Sequence, residues 1–261
     1  MSLLTIAYTE DSLPIASLEQ RLAAMKQWGL ALEIANRGTV SVESYQQVEV
    51  SIAAVQAYLM HDFHPLHYDP EHRHQAICHV EETLTLAAQL HAPRIVTVCG
   101  FGHHLADRPF ERSLEFFARV AGRAKALGVR ILIEPLSPKR LGAMAHPEEI
   151  AQLMTCLNQP EVFSLVLDTG HLLDSGFVLA DFLSTWPHPV EELQLKGRNS
   201  APPDMTILSP GWLAALRTRP SVVCVEHRQP ITWERFEAIA KRLQQVRIAW
   251  SEIKPDSHLS N

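Results

Sequence analysis

The sequence predicts one (β/α)₈ barrel, a TIM barrel, spanning residues 1–261 as a single domain. Three observations carry that prediction. Eight short, apolar, β-rich runs recur along the chain. Each run is followed by a stretch with helical periodicity. Their starts differ by 27, 25, 39, 36, 33, 28 and 31 residues, against roughly 31 per unit in a barrel of about 250 residues.

Taken in order, the runs are Leu3–Tyr8, Leu30–Ala35, Val55–Met60, Arg94–Cys99, Arg130–Pro135, Phe163–Asp168, Glu191–Lys196 and Val222–His227. Most are nearly continuous apolar runs, as strands buried on both faces of a parallel sheet require. Between the first two, Leu18, Leu22 and Met25 fall at i, i+4 and i+7, one face of a helix. The stretches Val80–Leu90, Glu111–Ala126, Pro147–Leu157 and Trp233–Val246 behave alike. Gly29 and Gly128 stand where helices stop, and Pro147 stands at a first helical position. An open doubly wound sheet uses the same alternation, but its nucleotide-binding forms carry a glycine fingerprint after the first strand. Residues Thr9–Pro14 contain no glycine.

Composition narrows the function. With 23 Lys+Arg against 29 Asp+Glu the net charge is −6, which argues against binding to nucleic-acid phosphates. No apolar stretch approaches the roughly 20 residues of a membrane span, so a membrane partner is not expected. Met1 leads directly into an apolar run without a basic leader segment. Cys78, Cys99, Cys156 and Cys224 are far apart and form no CxxC pair. A reducing, cytoplasmic setting is the expectation.

In such barrels chemistry sits at the carboxyl ends of the strands. The last four runs each carry an oxygen donor there: Glu134, Asp168, Gln194 and Glu226. One carboxylate after a buried strand reads as a cap or an ion-pair partner. Three carboxylates and an amide on four adjacent strands converge, and like charges repel unless a cation sits among them. The four ligating oxygens are therefore expected within roughly 5 Å of a common centre, given metal–oxygen bonds of about 2.0–2.6 Å. An all-oxygen set points to Mg²⁺ or Mn²⁺ over Zn²⁺. Lys196, two residues after Gln194, shares its face of the strand. It is a candidate for a substrate carboxylate or phosphate, or for neutralising the acidic cluster without metal.

The segments Ile133-Glu134-Pro135-Leu136, Leu167-Asp168-Thr169-Gly170-His171 and Val225-Glu226-His227 resemble the xylose isomerase-like TIM barrels, the sugar-phosphate isomerase/epimerase superfamily. The resemblance spans the barrel, and its specificity rests on the second half. It implies one divalent metal held at Glu134, Asp168, Gln194 and Glu226, with His171 on the substrate oxygens. Gln194 stands where the superfamily commonly has His, as in a hydroxypyruvate isomerase-like branch. That branch's Gly-Arg-His-Glu-Pro loop is absent, since residues 197–203 read GRNSAPP. Endonuclease IV-type enzymes share the barrel but need further His ligands. Here Asp204-Met205-Thr206 and Cys99 occupy those neighbourhoods, so abasic-site cleavage is not expected.

Six of the 14 histidines, His61, His64, His67, His72, His74 and His79, fall in one segment. We read them as a solvated loop and helix surface, except His61, which follows the third run directly and is a substrate-binding candidate. His103 and His104 are weaker candidates in another mouth loop. Arg198 is a further substrate candidate, and Arg228 is suggestive of anion recognition. Glu10 and Glu33 belong to the first two strands, Glu33 as a structural residue. Trp186, Trp212 and Trp233 are candidates for a sugar pocket, although core packing is the commoner use of tryptophan.

These residues read as a metal-dependent isomerase or epimerase of a small sugar or hydroxy-carbonyl compound. Glu134 and Glu226 move the proton through an enediolate, with Asp168 as a ligand. A dehydratase or lyase on the same barrel begins with the same proton abstraction. A non-catalytic metabolite- or protein-binding barrel is the alternative from another class.

Overall fold

A computed structural model of the protein describes residues 4–46, 49–209 and 219–252. Eight parallel strands close into a barrel in chain order. They are β1 (Thr5–Thr9), β2 (Ala31–Ala35), β3 (Ile52–Gln56), β4 (Arg94–Val98), β5 (Arg130–Glu134), β6 (Phe163–Asp168), β7 (Glu192–Leu195) and β8 (Val222–Val225). Pairing of Thr5–Tyr8 with Val222–Val225 closes the ring. The described helices are α1 (Leu18–Trp28), α2 (Val42–Gln46), α3 (Pro70–Gln89), α4 (Pro109–Leu127), α5 (Pro147–Leu157), α6 (Thr169–Asp174), α7 (Leu179–Thr185) and α8 (Trp233–Glu252). Among the described residues no helix is long and apolar enough to cross a membrane.

Local chemistry sets the helix ends. Ser17 and Gln20 cap α1 reciprocally, satisfying donors that the first turn leaves free. Gly29 (φ 58°) and Gly128 (φ 66°) end α1 and α4 in the left-handed region that glycine enters without strain. The main core lies between barrel and helices, where Phe116, Phe117, Phe236 and Leu22 are buried against the strands. Inside the barrel the packing is of small side chains: Ala7, Ala31, Ala53, Val222 and Cys224 form one cluster. Their size leaves interior room for the longer Glu33, Glu192 and Gln194, all fully buried. Near the amino-terminal ends of the strands, Glu191 pairs with Arg94 (3.5 Å) and with Arg130, tying β4, β5 and β7 together.

Two elements differ from the sequence reading. β3 lies three residues upstream of the run Val55–Met60. The apolar stretch Ile52–Val55 supplies the strand, with Gln56 paired opposite Ala35 and Val96, and Tyr58–His61 forms a short 3-10 turn. Helix α3 begins at Pro70, ten residues before Val80, because Asp69 caps it by accepting from the Glu71 N–H.

The histidine-rich segment is also less solvated than expected: His64 and His79 are 2% and 3% exposed. His79 Nε2 accepts the Leu59 N–H at 3.2 Å, so its burial is satisfied. His64 packs on Gly100, where an added Cβ would lie 2.7 Å from Nδ1. Trp186 is buried and stacked on Phe182, and Trp233 packs edge-on against Phe236, so both serve packing. Trp212 lies outside the described residues.

Burial lowers both His64 and His79 to about 4. A histidine whose folded pKa lies below its unfolded value of roughly 6.5 contributes stability above that value. The contribution is lost as the pH falls toward 4. The urea midpoint of the protein should therefore drop between pH 6.5 and 4, and His79→Gln should shrink that drop while keeping an acceptor for Leu59. An equal drop in both proteins would place the titration elsewhere.

Candidate active site at the carboxyl ends of the strands

The barrel mouth opens into a cavity of about 380 Å³, within the usual range for small-molecule sites. Glu134 closes β5, Asp168 closes β6, Lys196 follows β7 and Glu226 follows β8. Oxygens of Glu134, Asp168 and Glu226 lie within 4.8 Å of one another, and all three residues are buried. The Lys196 ammonium sits among them, 2.8 Å from Asp168 Oδ2 and 3.1 Å from Glu226 Oε2.

The segment Asp168-Thr169-Gly170-His171 builds this arrangement. Asp168 Oδ1 accepts the His171 N–H at 2.9 Å, capping α6, while Oδ2 faces Lys196. Thr169 Oγ1 donates to the Lys196 carbonyl at 2.7 Å and accepts its N–H at 2.9 Å, fixing the end of β7. Gly170 leaves space for the lysine stem, since a Cβ there would lie 2.5 Å from Lys196 Cγ and 2.8 Å from the Gly197 carbonyl oxygen. His171 Nδ1 accepts the Ser137 N–H at 3.2 Å. The neutral ring therefore carries its proton on Nε2, which lies 3.5 Å from Glu134 Oε1.

Crowding of charge divides the carboxyls. Burial and the Glu226 charge push Glu134 well above the usual carboxylate range. Burial also raises Asp168, to about 7, against the pull of Lys196. Burial works in the same upward direction on Glu226, but Lys196 and Arg228 outweigh it and hold this group at about 2. Burial and the neighbouring lysine keep His171 well below its ordinary value, so it is neutral. Lys196 is raised by Asp168, Glu226 and Glu134 despite its burial, and stays charged.

Gln194 lies deeper than the three carboxyls. Its Nε2 donates to Glu33 Oε1 and Glu192 Oε1, each at 3.3 Å. Its Oε1 is buried without a hydrogen-bond donor among the described residues. Gln56 Nε2 donates to Glu33 Oε1 (2.6 Å) and Glu226 Oε1 (3.4 Å), linking the deep acids to the mouth. The three gathered carboxyls form a donor set that fits a divalent ion, and the orphaned amide oxygen of Gln194 is a further oxygen donor deeper in the barrel.

His61, His171, Lys196, Glu134 and Glu226 all line the cavity. Arg198 is not brought there: it is exposed, and its guanidinium donates to the Leu173 carbonyl near the end of α6, which also accepts the Gly176 N–H. Sequence reasoning missed Gln56, Glu192 and Arg140. Gln56 carried the same signal as the other donors, a polar residue ending an apolar run, but the displaced third strand hid it. Glu33, read as structural, is fully buried beneath the site within hydrogen-bond reach of Gln56 and Gln194.

The family profile described as xylose isomerase-like TIM barrel matches residues 17–209. The chain belongs to that family. No curated protein sequence matches it. Among solved structures, the apo form of 3-keto-D-glucoside 4-epimerase from E. coli is similar, with a TM-score of 0.72 and 14% identity over 94% of this chain and 99% of that one. D-allulose 3-epimerase from Methylomonas sp., in complex with D-allulose, gives 0.73 and 15% over 95% and 98%. The IolI protein with a bound zinc atom gives 0.68 and 14% over 95% and 96%. At these identities the likeness establishes the fold.

Gly170→Ala should destabilise the protein by about 1–3 kcal/mol, the range of a steric insertion into packed structure. Urea unfolding checks this. An unchanged midpoint would mean that the Lys196 stem is not held in the position described.

Proposed function

We propose that this barrel is a divalent-metal-dependent isomerase or epimerase of a small sugar or hydroxy-carbonyl compound. The observation that carries the reading is the gathering of Glu134, Asp168 and Glu226 within 4.8 Å at the foot of a small-molecule cavity. The D-allulose bound to one structural neighbour and the zinc bound to another support it. Glu134, Asp168, Gln194 and Glu226 would hold the ion. Their all-oxygen donor set favours Mg²⁺ or Mn²⁺. When bound, the ion supplies Lewis-acid stabilisation of the negative charge that develops on a substrate oxygen.

The remaining work falls to the chain. Glu134 and Glu226 reach the cavity from β5 and β8, on either side of β6 and β7. Without an ion, burial raises Glu134 while Lys196 and Arg228 hold Glu226 low, a difference that poises one as acid and the other as base. Glu226 takes the proton from the carbon beside the carbonyl, and Glu134 returns one. Two carboxyls permit inversion at a single carbon, whereas one shuttling its proton moves a carbonyl between neighbours. His171 donates Nε2–H to a substrate oxygen, and its neutrality makes it a donor without competing for the proton. Asp168 has both oxygens engaged by His171 and Lys196, which suits holding over proton transfer.

Glu134→Gln and Glu226→Gln should each keep Mn²⁺ binding within roughly tenfold, because the amide retains a ligating oxygen. Each should lose deuterium exchange from D₂O into a ketose panel by about 10²-fold or more, the scale of general acid–base catalysis. Exchange at the wild-type rate in both variants would overturn the assignment of the pair. One observation favours a second reading: the Lys196 ammonium, 2.8 and 3.1 Å from two of the carboxyls, is itself a neutralising cation. In that reading the barrel binds a metabolite without metal. Metal analysis of the purified protein, before and after addition of Mn²⁺, separates the two.

A further inference from the structure

Two guanidinium groups line the mouth of the cavity, Arg140 and Arg228, and they are employed differently. Arg228 is engaged: it lies 3.1 Å from Asp11 Oδ2, 3.9 Å from Glu226 Oε1, and donates to the Tyr58 hydroxyl at 2.9 Å. Arg140 is half-buried, and among the described residues no carboxylate pairs with it and no acceptor receives its N–H groups. Its backbone, by contrast, is pinned. The Arg140 N–H donates to the Ser137 carbonyl at 2.8 Å, and its own carbonyl accepts the Gly102 N–H at 2.7 Å. A further bond from the Gly142 N–H to the Gly102 carbonyl, 3.0 Å, completes a small ladder between the loops after β4 and β5.

A half-buried guanidinium on a held backbone, without a counter-charge, is available to an incoming anion. The acids of the cavity do not supply that counter-charge: Glu226 is matched by Lys196 and Arg228, and Glu134 pairs with His171 and makes no ion pair with Arg140. Arg140 faces the same cavity as His61, His171 and Lys196. The mouth thus carries acids at its floor and a surplus of guanidinium at its rim. A guanidinium fork matches the paired oxygens of a carboxylate or phosphate, and a pinned backbone lowers the entropy cost of using it.

We infer that the substrate of this cavity carries an oxyanion, a carboxylate or a phosphate, and that Arg140 is the specificity-determining residue that holds it. The inference rests on reading the cavity as the substrate site, and it separates this chain from a site built for uncharged sugars.

The test measures dissociation constants by calorimetry, with EDTA present, for D-glucitol, D-gluconate and D-glucitol 6-phosphate. At least one of the two anions should bind about tenfold or more tightly than the neutral polyol, the worth of one charge-assisted pairing. The anion that gains identifies the group as carboxylate or phosphate. Arg140→Gln should abolish that advantage and leave D-glucitol binding within about twofold, while Arg140→Lys should recover part of it. Equal binding of all three compounds would overturn the inference. So would an advantage that survives in Arg140→Gln, or no measurable binding of either anion at about 10 mM. Because EDTA removes divalent ions, this outcome is independent of the Mn²⁺ and deuterium-exchange results that test the proposed reaction.

Discussion

The constraint on which the mouth of this barrel is built is the confinement of three buried carboxyl groups within 4.8 Å of one another. Mutual repulsion at such separations is large when little solvent screens it. The structure answers with one ammonium, one retained proton and a single strongly ionised group. Lys196 supplies the ammonium, and Thr169 and Gly170 exist in this geometry to hold it: one clamps its backbone, the other vacates the volume its stem fills. The short motif Asp168-Thr169-Gly170-His171 is thus one device. It presents a carboxylate, fixes a lysine from the next strand, and orients an imidazole whose proton faces the cavity.

Below the mouth the same problem recurs. Glu33 and Glu192 are fully buried inside the barrel, and burial, with Glu192 adding to it at Glu33, raises both above their ordinary range. Two amides spread the charge. Gln56 runs from Glu33 to Glu226, and Gln194 joins Glu33 to Glu192. This polar chain shares its donors among the acids, while Glu33 Oε2, Glu192 Oε2 and Gln194 Oε1 have no hydrogen-bond partner among the described residues. The small side chains of Ala7, Ala31 and Ala53 make the room for it. At the other end of the strands Glu191 binds Arg94 and Arg130 and serves the scaffold alone. The division follows the usual polarity of such barrels, with chemistry at the carboxyl ends and stability at the amino ends.

Much of this was legible before the structure. Strands buried on both faces announce themselves as apolar runs, and eight of them at similar spacing specify a closed barrel. A carboxylate at the end of such a run stands out against its apolar neighbours, and the three that do so, Glu134, Asp168 and Glu226, are gathered at the mouth. Gln56 escaped because the apolar content of Tyr58-Leu59-Met60 drew the third strand downstream, although those residues form a 3-10 turn. Glu192 escaped for a different reason: an acid at the start of a strand looks like a solvated edge, and only closure of the barrel buries it. Arg140 belongs to a loop, and periodicity says nothing about where a loop side chain points. Polarity predicts solvated positions for His64 and His79, whereas Gly100 and Leu59, distant in sequence, bury them.

The amide at position 194 follows from what lies beneath it. A neutral imidazole has one N–H and one lone-pair nitrogen, so at this position it donates to one carboxylate only. The amide of Gln194 brings two N–H groups on one nitrogen, and both Glu33 and Glu192 accept from it. Its carbonyl oxygen is left over, buried and without a donor among the described residues. Two acids in the barrel interior therefore select an amide above them, and the selection fixes which end of the side chain is free. Gln194 is in this sense matched to Glu192 and Glu33. In the proposed metal site, that carbonyl oxygen would be the atom Gln194 offers to an ion, and the donor set would be all oxygen.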